Sequence, residues 1–119
     1  MDVLYVSANS LFPILEDIHF NRDISGKSQY LARHIFDAEL LILDDLGAEF
    51  TTPFTASELF RIINDRLLEG KKIIISTNLS ISEMEKRYSS SVYSRLIGSF
   101  EIIKFFGEDI RWKIKNGDI

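Results

Sequence analysis

The chain has 119 residues, 45% of them hydrophobic and 27% charged, the proportions of one compact domain with enough apolar mass for a core. It contains no cysteine and two isolated histidines, which excludes disulfides and thiolate-bound metals and makes a poor basis for a histidine metal centre. A formal net charge of −4 argues against nucleic-acid binding by overall charge; no apolar run approaches the roughly 20 residues of a membrane span, the start lacks the basic region of a signal peptide, and a cytoplasmic location with no membrane partner is expected.

Residues 3–7 (VLYVS) form the first of four short runs rich in β-branched and aromatic residues, the others being 40–44, 72–77 and 101–106. Helical spacing lies between them, so the alternation predicts an α/β fold with a parallel sheet. After the first run a helix is predicted over residues 10–20, then a loop over 21–28. A second helix, 29–38, places Leu31, Ile35 and Ala38 on one side. The clearest helix spans 56–69, opened by Thr55 with Glu58 as a capping box and closed by Gly70, with Leu59, Phe60, Ile63 and Leu67 buried. Both prolines fall near helix starts. Ser80 with Glu83 forms a second capping box and opens a short helix towards Tyr88. A further short helix, 91–97, ends at Gly98; packing of Val92, Tyr93, Leu96 and Ile97 on the sheet would leave Arg95 pointing outward. The densest basic patch, Arg111 to Lys115, reads as a solvated tail after the last strand, with DNA contact as the alternative.

The run Leu40-Leu41-Ile42-Leu43 ends on Asp44-Asp45. Paired carboxylates at the carboxyl edge of a parallel sheet stand where such folds bind ligands: one can hold Mg²⁺ through water while the other orients an attacking water. An isolated acidic pair also fits a strand end turning into solvent, with Asp45 as a cap. The next run ends Ser76-Thr77-Asn78, three small polar groups at the same edge, able to hold a water or a γ-phosphate or, read alone, to cap the following helix.

In unbroken order, LLILDDLGAE, an ELFRIINDRL helix, KKIIISTNLS and YSRLIGSFEIIKFFGEDIRWK, preceded by VLYVSANSLF, resemble the DnaC/DnaI helicase loaders and the IstB-like ATPases of the AAA+ class. The resemblance implies a three-layer parallel sheet of the P-loop NTPase or AAA+ type, truncated before its first core strand, with residues 1–119 running from the second core strand to sensor 2. It further implies ATP and Mg²⁺ as cofactors, with Asp44 as the Mg²⁺ carboxylate, Asp45 as the water-activating acid, Thr77 beside the nucleotide, Asn78 as sensor 1, Arg95 as an arginine finger and Arg111 as sensor 2. A finger serves a neighbouring subunit's nucleotide, so self-association with a shared site is expected. A replicative DNA helicase and single-stranded DNA are the implied partners. The chain departs from the family pattern at Ser89-Ser90-Ser91, where a charged stretch would offer a second basic contact.

Ser25-Gly26-Lys27-Ser28 imitates a phosphate-binding loop but fails the pattern, because position 21 is Asn and no apolar strand precedes it. The family's P-loop belongs ahead of residue 3. In the family's sheet the missing first strand lies beside the fourth, so an apolar edge is expected on residues 72–77, covered by the last strand or by another copy of the chain. Besides a helicase loader, the sequence leaves open an IstB-like transposition helper and a non-enzymatic module that kept the fold. A receiver domain would need an acidic pair ending its first strand, where Ser7-Ala8-Asn9 stands, and Lys104 lies inside the last run instead of at its end.

Overall fold

A computed structural model gives the structure of residues 1–22 and 25–104. The elements are β1 (Val3–Ser7), α1 (Ala8–His19), α2 (Gly26–Asp37), β2 (Leu40–Leu46), α3 (Pro53–Leu68), β3 (Lys72–Thr77), α4 (Ile81–Arg87) and α5 (Ser90–Ser99). The three strands form one parallel sheet in the order β1-β2-β3, with Tyr5 aligned on Ile42 and Ile42 on Ile74.

Connections that step the same way across a parallel sheet, each with the usual right-handed crossover, lay their helices on the same face. The burial pattern follows. Side chains alternate along a strand, and Val6, Leu41 and Leu43 are buried in one cluster with Leu11, Phe12 and Leu15 of α1, Ile35 of α2, and Leu59, Ile62 and Ile63 of α3. The alternate positions form an open face, where Tyr5 is 62% and Ile74 53% exposed. The described residues thus supply two of the three expected layers, and among them β3 is an edge strand with the apolar residues Ile73, Ile74 and Ile75, as the sequence implied, while residues 101–104 form no strand beside it. No described helix is long and apolar enough to cross a membrane.

Several boundaries differ from the sequence reading. Ser25 caps α2 by accepting from the Ser28 amide, so Gly26, Lys27 and Ser28 are the first turn of a helix and not part of a loop. Thr52, not Thr55, caps α3, with Pro53 in the first turn where its missing N–H costs nothing; Glu58 accepts from Arg61 Nε at 2.8 Å and closes no capping box. Pro13 stands inside α1, in its second turn. The Ser80–Glu83 capping box is present with both of its bonds, and Gly70, at φ +69°, follows the end of α3 as expected. Helix α5 packs chiefly on α3 and α4 instead of on the sheet, and Ile97 is exposed. Residues 101–104 form no strand; 105 and 106, the rest of that predicted strand, lie outside the described residues, as does the basic patch beginning at Arg111.

Arg66 was not legible as a core residue, yet it is 0% exposed. Its Nη1 donates to the carbonyls of Ile35 at 2.9 Å and Phe36 at 3.4 Å, and its Nη2 to that of Lys72 at 2.6 Å. Lys71 Nζ adds a bond of 3.1 Å to Phe36 O. Two cations therefore cap the carboxyl end of α2, where its unpaired carbonyls and negative dipole end lie, and Arg66 ties that end to the start of β3. Burial without a counter-ion lowers the guanidinium's pKa.

Candidate functional site

At the carboxyl edge of the sheet the pairing slips. Leu43 aligns with Ile75 but Leu46 with Thr77, so β2 carries one residue more than β3 across this stretch, a β-bulge. Asp45 takes up the difference in the left-handed region, φ +58°, a conformation that costs most residues energy and that Asp and Asn tolerate best. Its N–H donates to Ser76 Oγ at 2.9 Å and its carbonyl accepts from Ala48 N at 3.2 Å. Gly47 follows at φ +105°, where a Cβ would come within 2.7 Å of Leu79 Cδ1, so only glycine fits.

Both oxygens of Asp44 are engaged. Ser76 Oγ donates to Oδ1 at 2.5 Å and Tyr5 Oη to Oδ2 at 2.5 Å, so strands on either side hold one carboxylate. These two bonds, Ser76 first and Tyr5 second, hold its pKa below the ordinary 3.8 against a smaller opposing effect of desolvation. The same bond raises the pKa of Tyr5. The Asp45 carboxylate and the Asn78 amide, by contrast, are exposed at the ends of adjacent strands and make no side-chain hydrogen bond among the described residues. The edge therefore offers one fixed carboxylate, one free carboxylate and one free amide.

The Thr77 hydroxyl is taken up by backbone, donating to Leu46 O at 2.5 Å and accepting from Leu79 N at 3.1 Å, which fastens the end of β3 to β2 while the residue stays exposed at the edge. Arg95 lies on α5, half-buried and not pointing freely outward, with no hydrogen-bond or ion-pair partner among the described residues. Arg111 lies outside those residues. The structure thus gathers Asp44, Asp45, Thr77 and Asn78 on one sheet edge and sets Arg95 on a separate helix.

A second polar cluster, unmarked in the sequence reading, adjoins this edge. Glu49, 2% exposed, accepts from Gly47 N at 2.7 Å on Oε1, and from Thr51 Oγ1 at 3.0 Å and Tyr88 Oη at 2.6 Å on Oε2. Arg87 donates to Glu49 O at 2.7 Å and to Thr51 Oγ1 at 2.6 Å. Burial, then the bond to Glu49, raises the pKa of Tyr88, so the phenol stays a donor. Beside the cluster, an open cavity of about 600 Å³ is lined by Asn9, Ala48, Glu49, Phe50, Thr51 and Arg87. The available signal was slight: an acid five residues beyond Asp44, in a segment with no other acid before Glu58.

The fold has known counterparts. The replication initiator DnaA bound to AMPPCP and single-stranded DNA superposes with a TM-score of 0.64 at 24% identity, over 82% of this chain and 29% of that one. AMPPCP-bound DnaA from Aquifex aeolicus gives a TM-score of 0.59 at 25% identity with the same coverage. The chain therefore spans under a third of the length of these structures, and the likeness shows the fold: an α/β parallel sheet similar to that of the DnaA AAA+ domain and consistent with a truncated P-loop NTPase. Comparison with curated proteins gives no match. The model of the IstB-like ATP-binding proteins matches residues 1–117, nearly the whole sequence, and the chain belongs to that family.

Proposed function

We propose that the chain is the acid-bearing part of an AAA+ ATP-hydrolysing core, completed by a P-loop strand and helix that precede it, and that the intact protein acts as a DnaC/DnaI-type loader of a replicative DNA helicase. The observation that carries the reading is the pairing of edges: a fixed Asp44 and a free Asp45 at a bulge ending β2, beside a free Asn78 ending β3. No group of three or more His, Cys, Asp or Glu among the described residues is placed to hold a metal ion by itself. The donor set suits Mg²⁺ all the same, since this ion takes one or two carboxylates and draws its other ligands from water and phosphate. Asp44, held ionised by Tyr5 and Ser76, is the residue that would hold it. Bound there with ATP, Mg²⁺ supplies charge neutralisation between phosphates.

The remaining roles belong to the chain itself. Asp45 orients and accepts a proton from water, Asn78 and Thr77 line the γ-phosphate side, Arg111 serves as sensor 2, and Arg95 reaches the nucleotide of a neighbouring subunit. Its lack of a partner among the described residues supports that last role. Single-stranded DNA is the proposed second partner, supported by the DnaA structure bound to it. The family match favours a second reading, an IstB-like transposition helper built on the same ATPase chemistry.

Expected outcomes follow from the missing cradle: the 119-residue chain by itself binds MgATP weakly or not at all in calorimetric titration, because no Gly-x-x-x-x-Gly-Lys-Ser/Thr is present. In the P-loop-bearing protein, Asp44→Ala abolishes Mg²⁺-dependent turnover and Asp45→Asn slows hydrolysis. Arg95→Ala keeps nucleotide affinity and loses about 10³ to 10⁵ in rate, and mixed with Asp45→Asn subunits it recovers part of the activity. Normal turnover in both aspartate variants sinks the assignment.

A further inference from the structure

Glu49 is the one buried carboxylate among the described residues, and no cation there pairs with it. Burying a charge without an opposite charge is costly unless hydrogen bonds replace the lost water. Here three donors do so, and they come from two directions. Gly47 N–H and Thr51 O–H belong to the turn that starts at Asp45, whereas Tyr88 O–H belongs to the end of α4. The turn itself is under local strain, with Asp45 at φ +58° and Gly47 at φ +105° against Leu79, and such conformations persist only where the surroundings over-determine them. Oε1 on the Gly47 amide closes the turn from inside. Arg87 closes it from outside by holding the Glu49 carbonyl and the Thr51 hydroxyl.

We propose that Glu49 and Tyr88 form a latch that positions Asp45: the carboxylate fixes the turn that sets the Asp45 backbone, and the phenol docks α4, with the following helix that carries Arg95, onto that same turn. The proposal deepens the ATPase reading of this edge and rests on it. Neither residue touches nucleotide; both are positioning residues acting through Asp45. Their loss is read in turnover and in the mobility of the turn, and not in nucleotide affinity.

In the P-loop-bearing ATPase, Glu49→Gln replaces one acceptor oxygen by an NH2 group, which cannot accept, so either the Gly47 amide on one side or the Thr51 and Tyr88 hydroxyls on the other lose their acceptor. It should leave KM for ATP nearly unchanged and lower kcat by about 10²-fold, the scale of an ångström-level misplacement. Tyr88→Phe keeps the ring's packing and should lower kcat in the same direction by less; the double variant should be no slower than Glu49→Gln. In the 119-residue chain, the Gly47 amide should exchange with deuterium faster in both variants, a readout that requires no nucleotide. If Glu49→Gln fails to fold, Tyr88→Phe carries both measurements. Unchanged kcat in the folded variants, a raised KM with kcat intact, or wild-type protection of Gly47 overturns the latch. Asp45→Asn measured in parallel separates the two levels: normal turnover there brings down the ATPase reading and the latch with it, whereas slow turnover there beside normal latch variants overturns the latch alone.

Discussion

Tyr5 on β1 and Asp44 on β2 share a hydrogen bond of 2.5 Å on the open face of the sheet, and Ser76 on β3 reaches the other oxygen of the same carboxylate. Both bonds favour the ionised form, with Ser76 the larger contributor. Carbon-detected NMR titration should therefore show the Asp44 carboxyl pKa rising in Tyr5→Phe and rising further in Ser76→Ala. The opposite order, or no change in either, refutes the clamp.

Arg66 predicts a stability effect with a chemical signature. Arg66→Ala opens a cavity and leaves the carbonyls of Ile35 and Lys72 without their donor, at a cost of roughly 2–5 kcal/mol. Arg66→Met refills much of the volume but restores no donor, and should recover only part of the loss. Urea unfolding measures both. Full recovery by methionine would mean that packing alone matters at this position.

The Ser80–Glu83 capping box makes stability depend on pH. The Ser80 backbone amide, and then its hydroxyl, lower the pKa of Glu83 from the ordinary 4.5. A depressed folded-state pKa means that the folded chain holds the proton less tightly than the unfolded one, so the contribution is complete above 4.5 and fades as pH falls through the lower folded value. The urea midpoint of the native chain should therefore drop on acidification below that value, and that of Glu83→Gln should drop less. Parallel curves for the two proteins would show that the box adds nothing.

The features legible in the sequence are those set by near neighbours. A strand that ends on two acids is visible because charge interrupts an apolar run, and the Ser80–Glu83 box because its partners sit three residues apart. Pro53 also pointed to the true start of α3, since proline favours the first helical turn, but Thr55 with Glu58 imitated a later cap. What stayed hidden is long-range. Tyr5 and Asp44 stand 39 positions apart, as do Glu49 and Tyr88, and only the parallel register and the docking of α4 bring them together. The burial of Arg66 was not legible because nothing in its own helix reveals that the end of α2 will lie across it. The run at 101–106 shows the converse: apolar, β-branched residues make a strand only where a neighbour offers a ladder, and residues 101–104 pair with none.

The strands stand side by side in the order in which the chain is synthesised. Among the described strands each therefore pairs with the one that precedes it in the sequence, across two helices between β1 and β2 and one between β2 and β3. Any other order of the three strands would require a pairing between β1 and β3, with a longer loop to close, so this succession keeps the entropic cost of closure as low as parallel pairing allows. A circular permutant opened between β2 and β3 keeps every residue but loses that succession, and it should refold more slowly than the native chain.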